Sequence, residues 1–152
     1  LLKERLMSAA VPARVNLITL GVTDRAASRH FYEKLGWQPK ARAFEDAITF
    51  LALDNLVLAL WDRGQLAVDA GLPPTPPGFG GFTLAINVAD EQAVDVALEA
   101  AVAAGGRVLK PGARADWGGY SGYFADPDGH PWEVAFNPFM PLDERGLLVL
   151  PD

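Results

Sequence analysis

The sequence predicts an α+β fold built from two βαβββ modules whose mixed sheets curl around a cavity. Three observations carry that expectation. A strand ending at a helix-capping aspartate occurs twice, three strand segments follow each copy, and a stretch unfit for helix or strand separates the copies. The repeat shows when Leu17-Ile18-Thr19-Leu20-Gly21-Val22-Thr23-Asp24 is set beside Thr83-Leu84-Ala85-Ile86-Asn87-Val88-Ala89-Asp90. Each copy alternates in the two-residue period of a strand. Each ends at an Asp, whose side-chain oxygen suits the free N–H groups of a first helical turn.

After Asp24, Ala27, Phe31 and Leu35 recur every four residues, and Gly36 is a natural C-terminal stop. Strands are then expected over 38–44, 47–53 and 56–61, the last two joined by Asp54-Asn55. After Asp90 the stripe Val94, Ala97, Leu98, Ala101 and Val102 marks a second amphipathic helix, stopped at Gly105-Gly106. Strands follow over 107–110, 119–125 and 131–137, with Asp126-Pro127-Asp128-Gly129 as the hairpin turn. Between the copies, residues 71–81 hold four prolines and four glycines. Such a segment reads as a stiff connector. The expected organisation is an N-terminal extension (1–13), a single domain over 14–138 and a tail over 139–152. Within the domain, module one covers 14–70, the linker 71–81 and module two 82–138.

Composition narrows the function. The chain has 152 residues, half of them hydrophobic, and a net charge of −6 without a basic stripe. Nucleic acid is therefore not an expected partner. No apolar run approaches the ~20 residues that span a bilayer, and the charged opening Leu1-Leu2-Lys3-Glu4-Arg5-Leu6 does not read as a signal peptide. A cytoplasmic protein with no membrane partner is the expectation. With no cysteine and two histidines, disulfides, thiolate chemistry and a His/Cys zinc cluster are excluded. No dinucleotide fingerprint is present, and Ser121 lacks the elbow of a serine hydrolase.

Strand phasing identifies a working face. Ile18, Leu20 and Val22, Leu56, Leu58 and Leu60, Leu84, Ile86 and Val88, and Val134 and Phe136 form a large aliphatic set that belongs under the helices. The opposite set is small, polar or aromatic, which suits a ligand surface. Its candidates are Thr19, Trp61, Thr83, Asn87, Glu133 and Asn137. Trp117, Tyr120 and Tyr123 beside Gly118-Gly119 add an aromatic rim. In the first, fourth, fifth and eighth strands that face carries a single charge, Glu133. Glu133 has three options there: a general acid or base raised toward neutrality by desolvation, an acceptor for ligand or aromatic donors, or a partner for a cation such as Arg114.

The segments His30-Phe31-Tyr32-Glu33-Lys34-Leu35-Gly36-Trp37 and Phe124-Ala125-Asp126-Pro127-Asp128-Gly129-His130-Pro131-Trp132-Glu133-Val134, set in the doubled order, resemble the vicinal oxygen chelate superfamily. That group contains glyoxalase I, bleomycin resistance proteins and extradiol dioxygenases. The resemblance covers residues 14–138. It implies paired modules around a shared cavity and a homodimer. It also implies metal positions at Leu17, Ala59, Thr83 and Glu133, of which only the last is a competent ligand. His30 on the helix and His130 in the turn fall off that face. The expected protein binds a modest apolar or aromatic organic molecule, with no metal and no cofactor. The alternatives are a lyase, isomerase or dioxygenase-like enzyme using Glu133 as base or ligand, and a dimerisation domain with a vestigial cavity.

Overall fold

A computed structural model describes residues 11, 13–75 and 78–151. Most of the N-terminal extension and the linker prolines Pro76 and Pro77 lie outside the described residues. Module one runs β1 (Leu17–Val22), α1 (Arg25–Lys34), β2 (Gln38–Lys40), β3 (Ile48–Ala52), β4 (Val57–Asp62) and α2 (Arg63–Ala70). Module two runs β5 (Leu84–Asn87), α3 (Glu91–Ala103), β6 (Arg107–Arg114), β7 (Tyr120–Ala125) and β8 (Pro131–Phe136). The fold is α+β. Its two four-stranded sheets have the same order, β1-β4-β3-β2 and β5-β8-β7-β6. In each, the first strand pairs parallel with the last and the others are antiparallel. The sheets are not closed: β1 and β5 each end one sheet. Among the described residues no helix is long and apolar enough to cross a membrane.

The two repeated helices start where the aspartates place them. Asp24 accepts from the Ala27 N–H at 3.0 Å and Asp90 from the Ala93 N–H at 2.7 Å. Their C-termini run into Gly36 (φ 94°) and Gly105 (φ 107°), a left-handed geometry that costs glycine nothing. Leu20, Val22, Leu58, Leu60 and Val134 are buried against Phe31, Tyr32, Val94 and Leu98 in one core shared by both modules. The aliphatic set thus faces the helices, as alternation requires.

Three elements differ from the sequence expectation. The strand expected over 38–44 ends at Lys40, because Ala41 adopts a left-handed conformation (φ 52°) and opens a short 3-10 turn, Arg42–Phe44. The turn leads to Glu45, which pairs with Arg25 at 2.9 Å and Arg29 at 3.2 Å and so pulls the chain toward α1 instead of along the sheet. The helix α2 has no apolar stripe and leaves no residue buried, so periodicity does not reveal it. Its caps do. Asp62 accepts from the Gln65 N–H at 2.9 Å, and Gly71 closes the helix at φ 72°.

β6 is longer than the expected 107–110 and runs to Arg114 with register shifts on either side of Lys110. As an edge strand it tolerates Pro111, whose missing N–H costs no ladder bond there.

Candidate functional site

The face of the second sheet that points away from the helices holds two rows. Tyr123, Glu133 and Ala85 are in register across β7, β8 and β5, and Ser121, Ala135 and Asn87 form the next row. Cross-strand residues share a face, so Glu133 stands beside Tyr123. Its chain neighbours Trp132 and Val134 are buried on the helix side. The Tyr123 phenol pKa is raised, first by burial, then by the Glu133 charge and the hydrogen bond to that carboxylate. Tyr123 therefore stays a neutral hydrogen-bonding group next to a carboxylate, a pair able to hold a polar atom of an organic molecule.

On the first sheet the corresponding face carries Leu17, Thr19 and Gly21 on β1 and Val57, Ala59 and Trp61 on β4. Thr19 and Ala59 share a row with Phe50. One end of this face is covered by α2. A Cβ on Gly21 would lie 3.3 Å from both the Arg63 Cα and a Leu66 methyl carbon, so glycine allows the helix to approach. The Trp61 indole N–H donates to Gln65 Oε1 of that helix at 3.0 Å.

The remaining candidates scatter. Thr83 is exposed just ahead of β5. Asn137 follows β8, and its Oδ1 accepts from the Phe139 N–H at 2.9 Å, which fixes the exit turn. The Trp117 ring lies over Gly119, within 1.8 Å of where a Cβ would sit. Tyr120 is in register with Phe136 on the helix side, and its hydroxyl donates to Asp95 of α3 at 2.9 Å. Glu133 and Tyr123 therefore meet, with Asn87 one row away, while Tyr120 faces the other direction. A cleft of about 850 Å³ opens between the modules, and of the nine expected ligand residues only Asn87 borders it.

The four positions at which the resemblance places metal ligands do not fit a divalent ion. Leu17 and Ala59 have no donor atom, Thr83 offers a neutral hydroxyl, and Glu133 alone is a carboxylate. No step is derived through a metal at that face.

A second polar cluster, not apparent from strand phasing, lies in the β7–β8 turn. Asp126, 1% exposed, accepts at Oδ1 from the backbone N–H groups of Asp128 (3.0 Å) and His130 (2.8 Å). Its Oδ2 accepts from the Tyr32 hydroxyl at 2.7 Å and sits 2.6 Å from His130 Nδ1. Trp132 Nε1–H donates to the Tyr32 oxygen at 3.1 Å, and Asp128 Oδ1 accepts from Thr23 N–H and Oγ1 at 2.9 and 2.8 Å. Asp126, Asp128 and His130 have donor atoms near enough to share an ion. Both Asp126 oxygens are already committed within the chain, however, and the cluster acts as a bolt between module one (Thr23, Tyr32) and module two. The signals were present: a Tyr beside the apolar stripe of α1 and an Asp directly after an aromatic strand, each needing a partner where buried.

His130 supplies a pH test of this bolt. Burial opposes the imidazolium, but the hydrogen bond to Asp126 and the charges of Asp126 and Asp128 outweigh it and raise the pKa above 6.5, with Arg63 opposing. A raised folded-state pKa contributes stability that is complete below the unfolded value and lost as pH rises through the folded one. We expect the His130 imidazole resonance to titrate above 6.5, and the stability difference between wild type and His130→Gln to be largest at acid pH. A midpoint at or below the unperturbed value refutes the charge-assisted pairing.

Comparisons with known proteins agree with this architecture. Residues 14–134 match the family described as the Glyoxalase/Bleomycin resistance protein/Dioxygenase superfamily. A glyoxalase-related enzyme from Fulvimarina pelagi is 42% identical, with a TM-score of 0.82 over 91% of this chain and 98% of that one. A glyoxalase/bleomycin resistance protein/dioxygenase from Nocardioides is 26% identical, with a TM-score of 0.68 over 89% and 90% of the two chains. A lactoylglutathione lyase from Agrobacterium tumefaciens, 22% identical over 83% and 95% with a TM-score of 0.62, shares the fold. No curated protein matches the chain.

Proposed function

From a chain that belongs to the Glyoxalase/Bleomycin resistance protein/Dioxygenase superfamily, we propose a small-molecule binding protein that works without a transition metal. Its ligand is an organic molecule of modest size, apolar or aromatic, bound at the Glu133 face of the second sheet. The observation that supports this reading most directly is the pairing of Glu133 with Tyr123 on a face where the other three family metal positions lack a strong ligand. A carboxylate and a neutral phenol orient the polar end of a ligand. The small neighbours Ala85 and Ala135 leave room for its body.

The working unit is a homodimer. β1 and β5 leave open sheet edges, and twofold pairing is a common way to cover such edges. The half-exposed Leu17 and Phe82 add apolar surface near them. Light scattering at micromolar concentration tests the dimer, and a monomer mass refutes it. Elemental analysis after dialysis tests the metal: less than one Zn, Ni or Fe per chain is expected, and one tightly held ion overturns the metal-free reading.

A second reading, an enzyme of lyase or isomerase type with Glu133 as its base, draws support from the 42% identical relative described as a glyoxalase-related enzyme. Glu133→Gln separates the two readings, because the amide keeps the shape but cannot take a proton. In a binder, affinity falls by about 1.5–3 kcal/mol, the scale of a hydrogen bond to a charged group. In an enzyme, turnover is lost while the fold and ligand affinity largely persist. If both binding and turnover are unchanged, the Glu133 face is not the working site.

A further inference from the structure

The 850 Å³ cleft between the modules borders neither Glu133 nor Tyr123, although Ala85 and Asn87 of their face reach its rim. Ile18 and Leu58 of the first sheet and Leu84, Ile86 and Trp132 of the second line it. Ile18, Leu58, Leu84 and Ile86 belong to the aliphatic, helix-facing set, whereas Lys40 and Ala85 enter the lining from the opposite face, so the cleft opens between the sheet edges of the two modules. Trp37 forms a further wall, held by stacking on Tyr32 (centroids 5.4 Å apart) and by an edge contact with Trp132 (5.4 Å). The C-terminal tail forms a strap across the cleft. Leu142 bridges to Leu148, Asp143 Oδ1 accepts from the Arg145 and Leu147 N–H groups at 2.8 and 3.0 Å, and Gly146, Leu147 and Leu148 join the lining.

The polar side chains of the cleft are Gln38, Lys40, Asp54, Asn55 and Asn87, with the Trp37 indole beside them. Among the described residues, the Lys40 ammonium makes no ion pair, and the Trp37 indole N–H and the Asn87 amide make no side-chain hydrogen bond. Asp54, the one lining carboxylate, sits at the hairpin tip, where Arg145 reaches its backbone oxygen at 3.3 Å and brings a second cation beside it. The Lys40 cation and the Trp37 N–H donor beside Ile18, Leu84 and Ile86 suit a molecule with an apolar body and one acidic end. The volume is within the range of cavities that enclose drug-sized ligands.

We propose that this inter-module cleft is a second binding site, separate from the Glu133–Tyr123 pair, for an amphipathic organic carboxylate whose acid group meets Lys40. The apolar body lies along Ile18, Leu84 and Ile86, under Trp37 and Trp132. The site assigns a role to the tail: Leu147 covers the apolar body, so the strap closes over ligand instead of merely trailing from β8.

Decanoate is a suitable probe, with decanol as its uncharged counterpart. The chain has three isoleucines, and they report the location directly: Ile18 and Ile86 line the cleft, whereas Ile48 lies in register with Trp61 on the opposite face of the first sheet. With isoleucine methyls labelled in the full chain, decanoate is expected to shift Ile18 and Ile86 saturably and leave Ile48 in place. Lys40→Met is expected to weaken decanoate by about tenfold, the loss of one charge-assisted contact, and to leave decanol affinity unchanged. Saturable shifts at Ile48 alone, or none at Ile18 and Ile86, overturn the site. Equal effects of Lys40→Met on both probes overturn the carboxylate.

Discussion

Asp126→Ala is expected to destabilise the protein by about 3–5 kcal/mol, the scale for stripping one partner from a buried, charged network. The carboxylate is 1% exposed and accepts from two backbone N–H groups and the Tyr32 hydroxyl, with the His130 ring at 2.6 Å. Alanine leaves those donors buried and unmatched, and each unmatched group costs about 1–3 kcal/mol. Asp126→Asn should lose less, because its carbonyl oxygen can keep both backbone contacts. The tyrosine oxygen, which already accepts from Trp132, can turn its remaining lone pair to the amide. Urea denaturation of the two variants measures the difference. A loss below about 1 kcal/mol for alanine means that the turn does not bolt the modules together, and that Tyr32 is satisfied by other means.

That network shows what strand phasing cannot reach. The sequence pattern assigns Asp126 to a hairpin turn and leaves Tyr32 beside the stripe of Ala27, Phe31 and Leu35, each a local description. Their meeting joins positions far apart in the chain and depends on how the modules pack. The local elements were legible for local reasons. Asp24 and Asp90 cap helices because the chain turns there whatever surrounds it, and Leu20, Leu58 and Val134 must leave water on whichever face the helices cover. The short helix after β4 was hidden because its apolar residues are not arranged in a stripe, although Asp62 and Gly71 mark both ends. β2 was overextended because nothing in Ala41-Arg42-Ala43 announces a left-handed residue, and the ion pairs of Glu45 become visible only once α1 is in place.

The site divides along the same line. Glu133 and Tyr123 pair because β7 and β8 are joined by a tight turn, so their register follows from the chain between them. Tyr120 was assigned to the same rim by its nearness to Gly118-Gly119. It lies three residues from Tyr123, an odd number along a strand, and odd spacing puts it on the helix side with its hydroxyl on Asp95. The inter-module cleft was not legible at all. Its aliphatic walls, Ile18, Leu58, Leu84 and Ile86, are residues that strand phasing sends to the core, and only the packing of two modules decides that they leave a gap.

The alternation itself can be tested on adjacent residues of one strand. Trp132→Ala is expected to cost about 3–5 kcal/mol, the usual loss for a buried tryptophan. Trp132 is 4% exposed, lies parallel to Phe124 with centroids 6.1 Å apart, meets Tyr32 and Trp37 edge-on, and donates to the Tyr32 oxygen. Glu133→Gln, one residue on, should change stability by less than about 1 kcal/mol, because the half-buried group it alters lies outside the core. Urea midpoints of the two variants, taken at one pH and with unchanged m-values, give the comparison. A tolerant Trp132 together with a sensitive Glu133 would mean that β8 runs in the other phase. Its carboxylate would then be part of the core, and the ligand face would lose Glu133.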